Sequence, residues 1–220
     1  MIGADGLYRR LLDAHGAPRW WSDDPFTVML QAVLVQRSTW RTVETTCAAF
    51  PARLTAEAAA CLSGERLVQM IRPCGFAKAK ARAIHALAAW FCRYGCDVRR
   101  TQDVPLEALR AQLLSLFGVG EETADVILVY ALYRPSFIID AYTRRLLARL
   151  GGDFSGDAAL RRYFTCALPP DARLFGRYHW LILDHCTTLC RKTPACAACP
   201  LRDVCREGSP GLTPDNGTPS

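Results

Sequence analysis

The sequence predicts an all-α protein, and three observations carry that expectation. Apolar residues recur at intervals of three and four over most of the chain. Stretches alternating with the period of two that a half-buried strand needs are scarce. Short breaks such as Pro73-Cys74-Gly75, Gly118-Val119-Gly120 and Pro169-Pro170 separate the periodic segments, as expected for helices joined by tight connections.

An amino-terminal helix comes first. From Pro25 through Cys47 the residues Phe26, Met29, Leu30, Val33 and Leu34 form one apolar stripe, with Ser22 or Asp23 as cap and Pro25 in the first turn. The same period runs through residues 54–70, 77–94, 106–116, 121–131, 140–150 and 174–186. From about Gly208 the composition turns to Ser, Pro, Gly, Thr, Asp and Asn with only Leu212 to bury, which predicts a disordered tail.

The chain has 220 residues and a mass of 24.4 kDa, the size of one globular unit or two small interlocked domains. Half of it is apolar and 22% is charged, which excludes a disordered polar chain. The long apolar run Val126 to Tyr133 stops at Arg134-Pro135, too short to span a bilayer. Acid and Arg within the first ten residues do not fit a secretory signal, so a cytoplasmic address is expected. Lys and Arg exceed Asp and Glu by 27 − 21 = +6, which suits an anionic partner without naming one. Only Lys78, Lys80 and Lys192 are lysines.

Of 11 cysteines, Cys47, Cys61, Cys74, Cys92, Cys96, Cys166 and Cys186 lie scattered through apolar segments and are expected to be small core or helix residues. The others form the pattern C-x5-C-x2-C-x5-C at Cys190, Cys196, Cys199 and Cys205. Four thiolates in so short a span suit tetrahedral zinc or a cubane iron-sulfur cluster. Thiol chemistry alone leaves both open.

Leu113-Leu114-Ser115-Leu116-Phe117-Gly118-Val119-Gly120 ends one helix and starts another at once, presenting backbone N–H groups where missing side chains let a phosphate approach. One helix later comes Ile138-Ile139-Asp140-Ala141-Tyr142-Thr143-Arg144-Arg145, in which Asp140 also stands where a helix cap belongs. Together with Phe26 to Gln36, Tyr178-His179-Trp180-Leu181-Ile182-Leu183 and the four-Cys loop, this succession resembles the helix-hairpin-helix DNA glycosylases of the endonuclease III superfamily, from about Pro25 to Cys205. It looks most like the branch that includes 3-methyladenine glycosylases.

The resemblance implies that Asp140 is the catalytic carboxylate, stabilising positive charge on the deoxyribose as the base-sugar bond breaks. Lyase members normally carry a Lys two residues after the hairpin's second Gly; here that position is Glu122. A carboxylate forms no imine, so a monofunctional glycosylase is implied. The resemblance also assigns DNA contacts to Gln36, Arg37, Gly118, Val119, Gly120, Thr123, Arg191 and Lys192, and a 4Fe-4S cluster to Cys190, Cys196, Cys199 and Cys205, with zinc as the alternative. Arg72, Lys78, Lys80 and Arg82 are further candidates for phosphate contact. Trp20, Trp21 and Trp40 would offer stacking faces to an alkylated purine, whose positive charge favours aromatic surfaces.

The expected architecture is a helical barrel over residues 25–139 carrying the hairpin, a second helical domain from 1–24 plus 140–205 carrying the cluster loop, and a tail over 206–220. The expected partner is double-stranded DNA holding a damaged base, bound by a monomer away from any membrane. The rivals are a bifunctional glycosylase and lyase acting on oxidised pyrimidines, disfavoured by Glu122, and a non-catalytic metal-containing DNA-binding protein, disfavoured by Asp140.

Overall fold

The computed structural model of the protein describes residues 1–209, and among them there is no strand. Numbered in chain order, the helices are α1 (Ala4–His15), α2 (Pro25–Leu34), α3 (Trp40–Ala48), α4 (Ala56–Cys61), α5 (Gly64–Ile71), α6 (Ala77–Arg93), α7 (Leu106–Leu114), α8 (Glu121–Val126), α9 (Ala141–Arg149), α10 (Asp157–Thr165) and α11 (Ala172–Thr188). Among the described residues no helix is long and apolar enough to cross a membrane.

Contacts divide the chain into a middle unit, Trp21–Ser136, and a terminal unit made of Met1–Trp20 with the chain from Phe137 onward. These breaks fall a few residues before the expected 24/25 and 139/140. Trp21 packs edge-on against Trp40 and Tyr130, which draws it into the middle unit. Phe137 stacks on Phe164 with ring centroids 3.7 Å apart, which draws it into the terminal one.

In the middle unit α6 packs against α2, α4 and α5, burying Ala81, Ile84, Leu87, Ala88 and Phe91 along one stripe. The cap of α2 is Asp24 rather than Ser22 or Asp23: its carboxylate accepts the Thr27 N–H at 3.2 Å, and Pro25 follows at the first helical position. The stripe expected to run to Cys47 breaks after Leu34, where Arg37 takes a left-handed φ of 51° and Thr39 opens α3 by accepting from Thr42 N. Residues 54–70 likewise form two helices, because Thr55 and Ser63 each cap a new start. Residues 121–131 form α8 followed by a π turn over Ile127–Ala131.

The terminal unit closes around Phe137, with Phe164 stacked on it and Phe175 and Tyr178 edge-on. Tyr178 donates its hydroxyl to Ala4 O and Tyr163 to Ile2 O, both at 2.8 Å, tying the start of the chain to α11 and α10. Helix α10 was not foreseen from the sequence, because in its first two turns only Leu160 and Phe164 are buried. Phe137→Ala should cost about 3–5 kcal/mol in chemical denaturation, the usual penalty for emptying a buried aromatic site.

Two expectations need correcting. Cys166 is neither a core nor a helix residue: it is exposed and follows the end of α10, whereas Cys61, also exposed, is the last residue of helix α4. The expected tail is bonded at its start, with Glu207 N donating to Arg149 O at 3.3 Å and Ser209 N to Cys205 O at 2.9 Å. The rest of that tail lies outside the described residues.

Candidate active site and metal centre

In the terminal unit Asp140 is the N-cap of α9 and is only 5% exposed. Its Oδ1 accepts the Thr143 N–H at 2.7 Å, and its Oδ2 lies 3.6 Å from His179 Nε2 on α11. Burial pushes this carboxyl up, but the hydrogen bond and charge of His179 and the Thr143 amide more than reverse it, leaving it below the ordinary Asp range. A buried carboxylate whose charged form is favoured is a candidate for chemistry and not only a cap.

The hairpin belongs to the middle unit. Gly118 has φ 77°, and a Cβ there would sit 2.7 Å from the Ala83 Cβ, so position 118 requires glycine for the fold itself. Gly120 has φ −90°, and a Cβ there would meet nothing within 4 Å. Nothing in its own unit demands glycine at 120, which leaves that space open to a ligand. Val119 is buried, so its side chain offers nothing to a ligand. Gln36 locks the turn by donating Nε2–H to Gly118 O at 3.1 Å and to Thr123 Oγ1 at 3.0 Å. Gly118→Ala should lower stability by about 1–3 kcal/mol, the range for an overpacked site. Gly120→Val should melt like the parent chain yet bind duplex DNA of every sequence more weakly. Normal DNA binding by that variant, measured by fluorescence anisotropy, would reduce the hairpin to a turn.

Next to the hairpin is an open groove lined by Gln36, Arg37, Phe76, Lys80, Phe117 and Gly118 among others. Phe76 is 62% exposed and holds a left-handed φ of 50°. Arg37 lies 5.7 Å above its ring, and Arg82 lies 3.9 Å above Phe117. Lys80 departs from its expected phosphate-contact role: it is buried, and its ammonium donates to Leu34 O at 2.8 Å and Cys74 O at 2.7 Å. Its aliphatic stem fits the apolar stripe of α6, and the two carbonyls satisfy its charge. Lys78 remains exposed.

Of the tryptophans, Trp21 and Trp40 meet edge-to-face at 5.1 Å, with Trp21 Nε1 donating to Gln31 Oε1 at 2.7 Å. Trp20 belongs to the terminal unit, beneath the Arg173 guanidinium at 5.3 Å. Glu122 is exposed in the first turn of α8.

Cys190, Cys196, Cys199 and Cys205 line one small cavity in the terminal unit. Cys186 lies outside that lining, with its sulfur 3.6 Å from Tyr142 O. Arg149 from α9 clasps the loop, donating to Arg191 O at 2.7 Å, Lys192 O at 3.0 Å and the Cys190 sulfur at 3.3 Å. A hydrogen bond from Cys186 and the Arg149 guanidinium hold the Cys190 thiol below the usual thiol range. The side chains of Arg191 and Lys192 are exposed. Four soft thiol donors lining one cavity are a donor set that suits an iron-sulfur cubane or tetrahedral zinc.

A family model described as HhH-GPD superfamily base excision DNA repair protein matches residues 30–163. The chain belongs to that superfamily. It is 35% identical over 206 residues to the provisionally named DNA repair glycosylase MJ1434 of Methanocaldococcus jannaschii, covering 90% of this chain and 94% of that protein. It is 30% identical over 208 residues to endonuclease III of Treponema pallidum, covering 92% and 94%. Among solved structures it is similar in fold to the H. pylori 3-methyladenine DNA glycosylase MagIII bound to 1,N6-ethenoadenine, with a TM-score of 0.72, 22% identity, and coverage of 84% of this chain and 97% of that one.

Three features of this HhH-GPD chain escaped sequence reasoning. The approach of His179 to Asp140 joins residues 39 positions apart, and no local pattern signals it. The exposure of Phe76 follows from its left-handed backbone, for which the preceding Gly75 was the available hint. The Arg149 clasp had no signal beyond a basic residue in the last turn of a helix.

Proposed function

We propose that this chain is a monofunctional DNA glycosylase that hydrolyses the N-glycosidic bond of an alkylated purine in duplex DNA. The observation that carries the reading is Asp140, a buried carboxylate held in its charged form by the Thr143 amide and His179. Membership of a base excision repair superfamily supports the reaction class. As the base departs, the sugar becomes oxocarbenium-like, and a fixed negative charge in a low-dielectric setting stabilises it without reorganising. The α9 cap immobilises Oδ1, and His179 faces Oδ2 and favours the ionised form.

Water is the nucleophile in this reading, because Glu122 offers no amine for an imine and Lys80 is engaged by two backbone carbonyls. Gly120 and the hairpin amides take a phosphate, while Arg37 and Phe76 present a charged and aromatic edge to the helix. Trp21 and Trp40 supply faces for a cationic base.

Cys190, Cys196, Cys199 and Cys205 would hold a 4Fe-4S cluster, and the group's contribution when bound is to cross-link the loop that displays Arg191 and Lys192. Duplexes each holding one lesion, covering alkylated purines, oxidised pyrimidines and uracil or thymine mismatches, test the assignment. Release of alkylated purine is the expected result. Release of pyrimidine lesions alone would overturn the substrate class.

A further inference from the structure

A file of polar side chains runs to the cysteine cavity inside the terminal unit, and the excision chemistry makes no use of it. Asp184 Oδ2 lies 2.9 Å from His15 Nδ1. His15 Nε2 lies 3.0 Å from His185 Nδ1. His185 Nε2 lies 3.6 Å from the sulfur of Cys199. The two imidazoles meet nearly at right angles, with centroids 5.3 Å apart. His185 is fully buried, whereas the Asp184 side chain is 28% exposed, so the file leads from solvent to the cavity wall.

Two histidines in a helical interface are an expensive way to fill space. A leucine at 185 would pack there without requiring any partner, and a buried imidazole must have both nitrogens satisfied. The file gives every ring nitrogen a partner. A sulfur bound to metal has no hydrogen to give, so the gap to Cys199 is then filled by His185 Nε2–H. His185 Nδ1 in turn accepts from His15 Nε2–H, and His15 Nδ1 faces the Asp184 carboxylate.

We propose that His185, aligned by His15 and Asp184, is a positioning residue for the metal group, donating a hydrogen bond to the Cys199 sulfur that raises the group's reduction potential and slows loss of iron. The proposal rests on the cluster reading given above. The direction follows from electrostatics: a donor beside a ligand sulfur stabilises the more negative, reduced state. The partners come from α1 and α11, so the file also makes the packing of α1 a condition for that donor's orientation.

The test uses the full chain carrying iron and sulfide, with the midpoint potential followed spectroelectrochemically and iron transfer to a chelator followed by absorbance. His185→Leu should shift the potential to more negative values and release iron about 10-fold faster, the lower end of what losing such a support costs in metal affinity. His15→Leu, which leaves His185 in place but frees its ring, should move both readouts the same way by less. If His185→Leu does not fold, His15→Leu carries the test alone. Potentials and release rates equal to wild type in the folded variants overturn the proposal. A wild-type protein that takes up zinc but neither iron nor sulfide overturns the cluster reading itself, a result separable from failure of the file.

Discussion

Asp140→Asn should bind damaged duplex with the parent affinity and excise its base about 100-fold or more slowly, the usual cost of losing one fixed electrostatic stabiliser. The amide keeps the size of the side chain and remains a good helix cap, so the Thr143 N–H at 2.7 Å retains its acceptor and α9 keeps its start. What disappears is the charge. Single-turnover excision and binding anisotropy on the same preparation separate the two effects. Because His179 and the Thr143 amide hold the folded-state value below that of the unfolded chain, this carboxylate contributes stability above the ordinary Asp value of about 3.9. That contribution is lost as the pH falls through the lower folded value. Excision should therefore keep its carboxylate through neutral and mildly acid pH. Full excision by the Asn variant would remove Asp140 from the chemistry.

The second large effect concerns the cysteine loop. Cys196→Ser replaces a thiolate donor by an alcohol that stays protonated near neutral pH, leaving three thiols around a cavity built for four. The parent protein purified without oxygen should be brown, with the broad visible absorbance of an iron-sulfur centre. The variant should lose most of that absorbance and most of its iron per chain. Stoichiometric zinc without sulfide in the parent would reject the cluster.

The helical class was legible because burial imposes a period of three to four wherever a helix has one wet face. Helix ends were less legible. The break after Leu34 carries no Gly or Pro; it falls at the polar run Gln36-Arg37-Ser38-Thr39, where Arg37 takes a left-handed backbone and Thr39 caps the next helix. Helix α10 was missed because two buried residues in its first two turns make too faint a stripe.

Asp140 and the four cysteines could be named because their roles are written in local motifs. His179, His15 and His185 could not, because each acquires its partner across tens to more than a hundred positions of chain. Lys80 shows the limit of reading charge from sequence. Its neighbours suggested a basic face, but its stem follows the buried stripe of α6 and two carbonyls await its ammonium.

The claim that water and not an amine attacks the sugar is met most directly by one gel. Wild-type protein is incubated with a duplex carrying a single alkylated purine, and the lesion strand is sized before and after alkali, with a parallel sample reduced by borohydride. The expected result is an unbroken strand that cleaves only after alkali, and no protein-DNA adduct. A strand cut without alkali, together with a borohydride-trapped adduct, would contradict it.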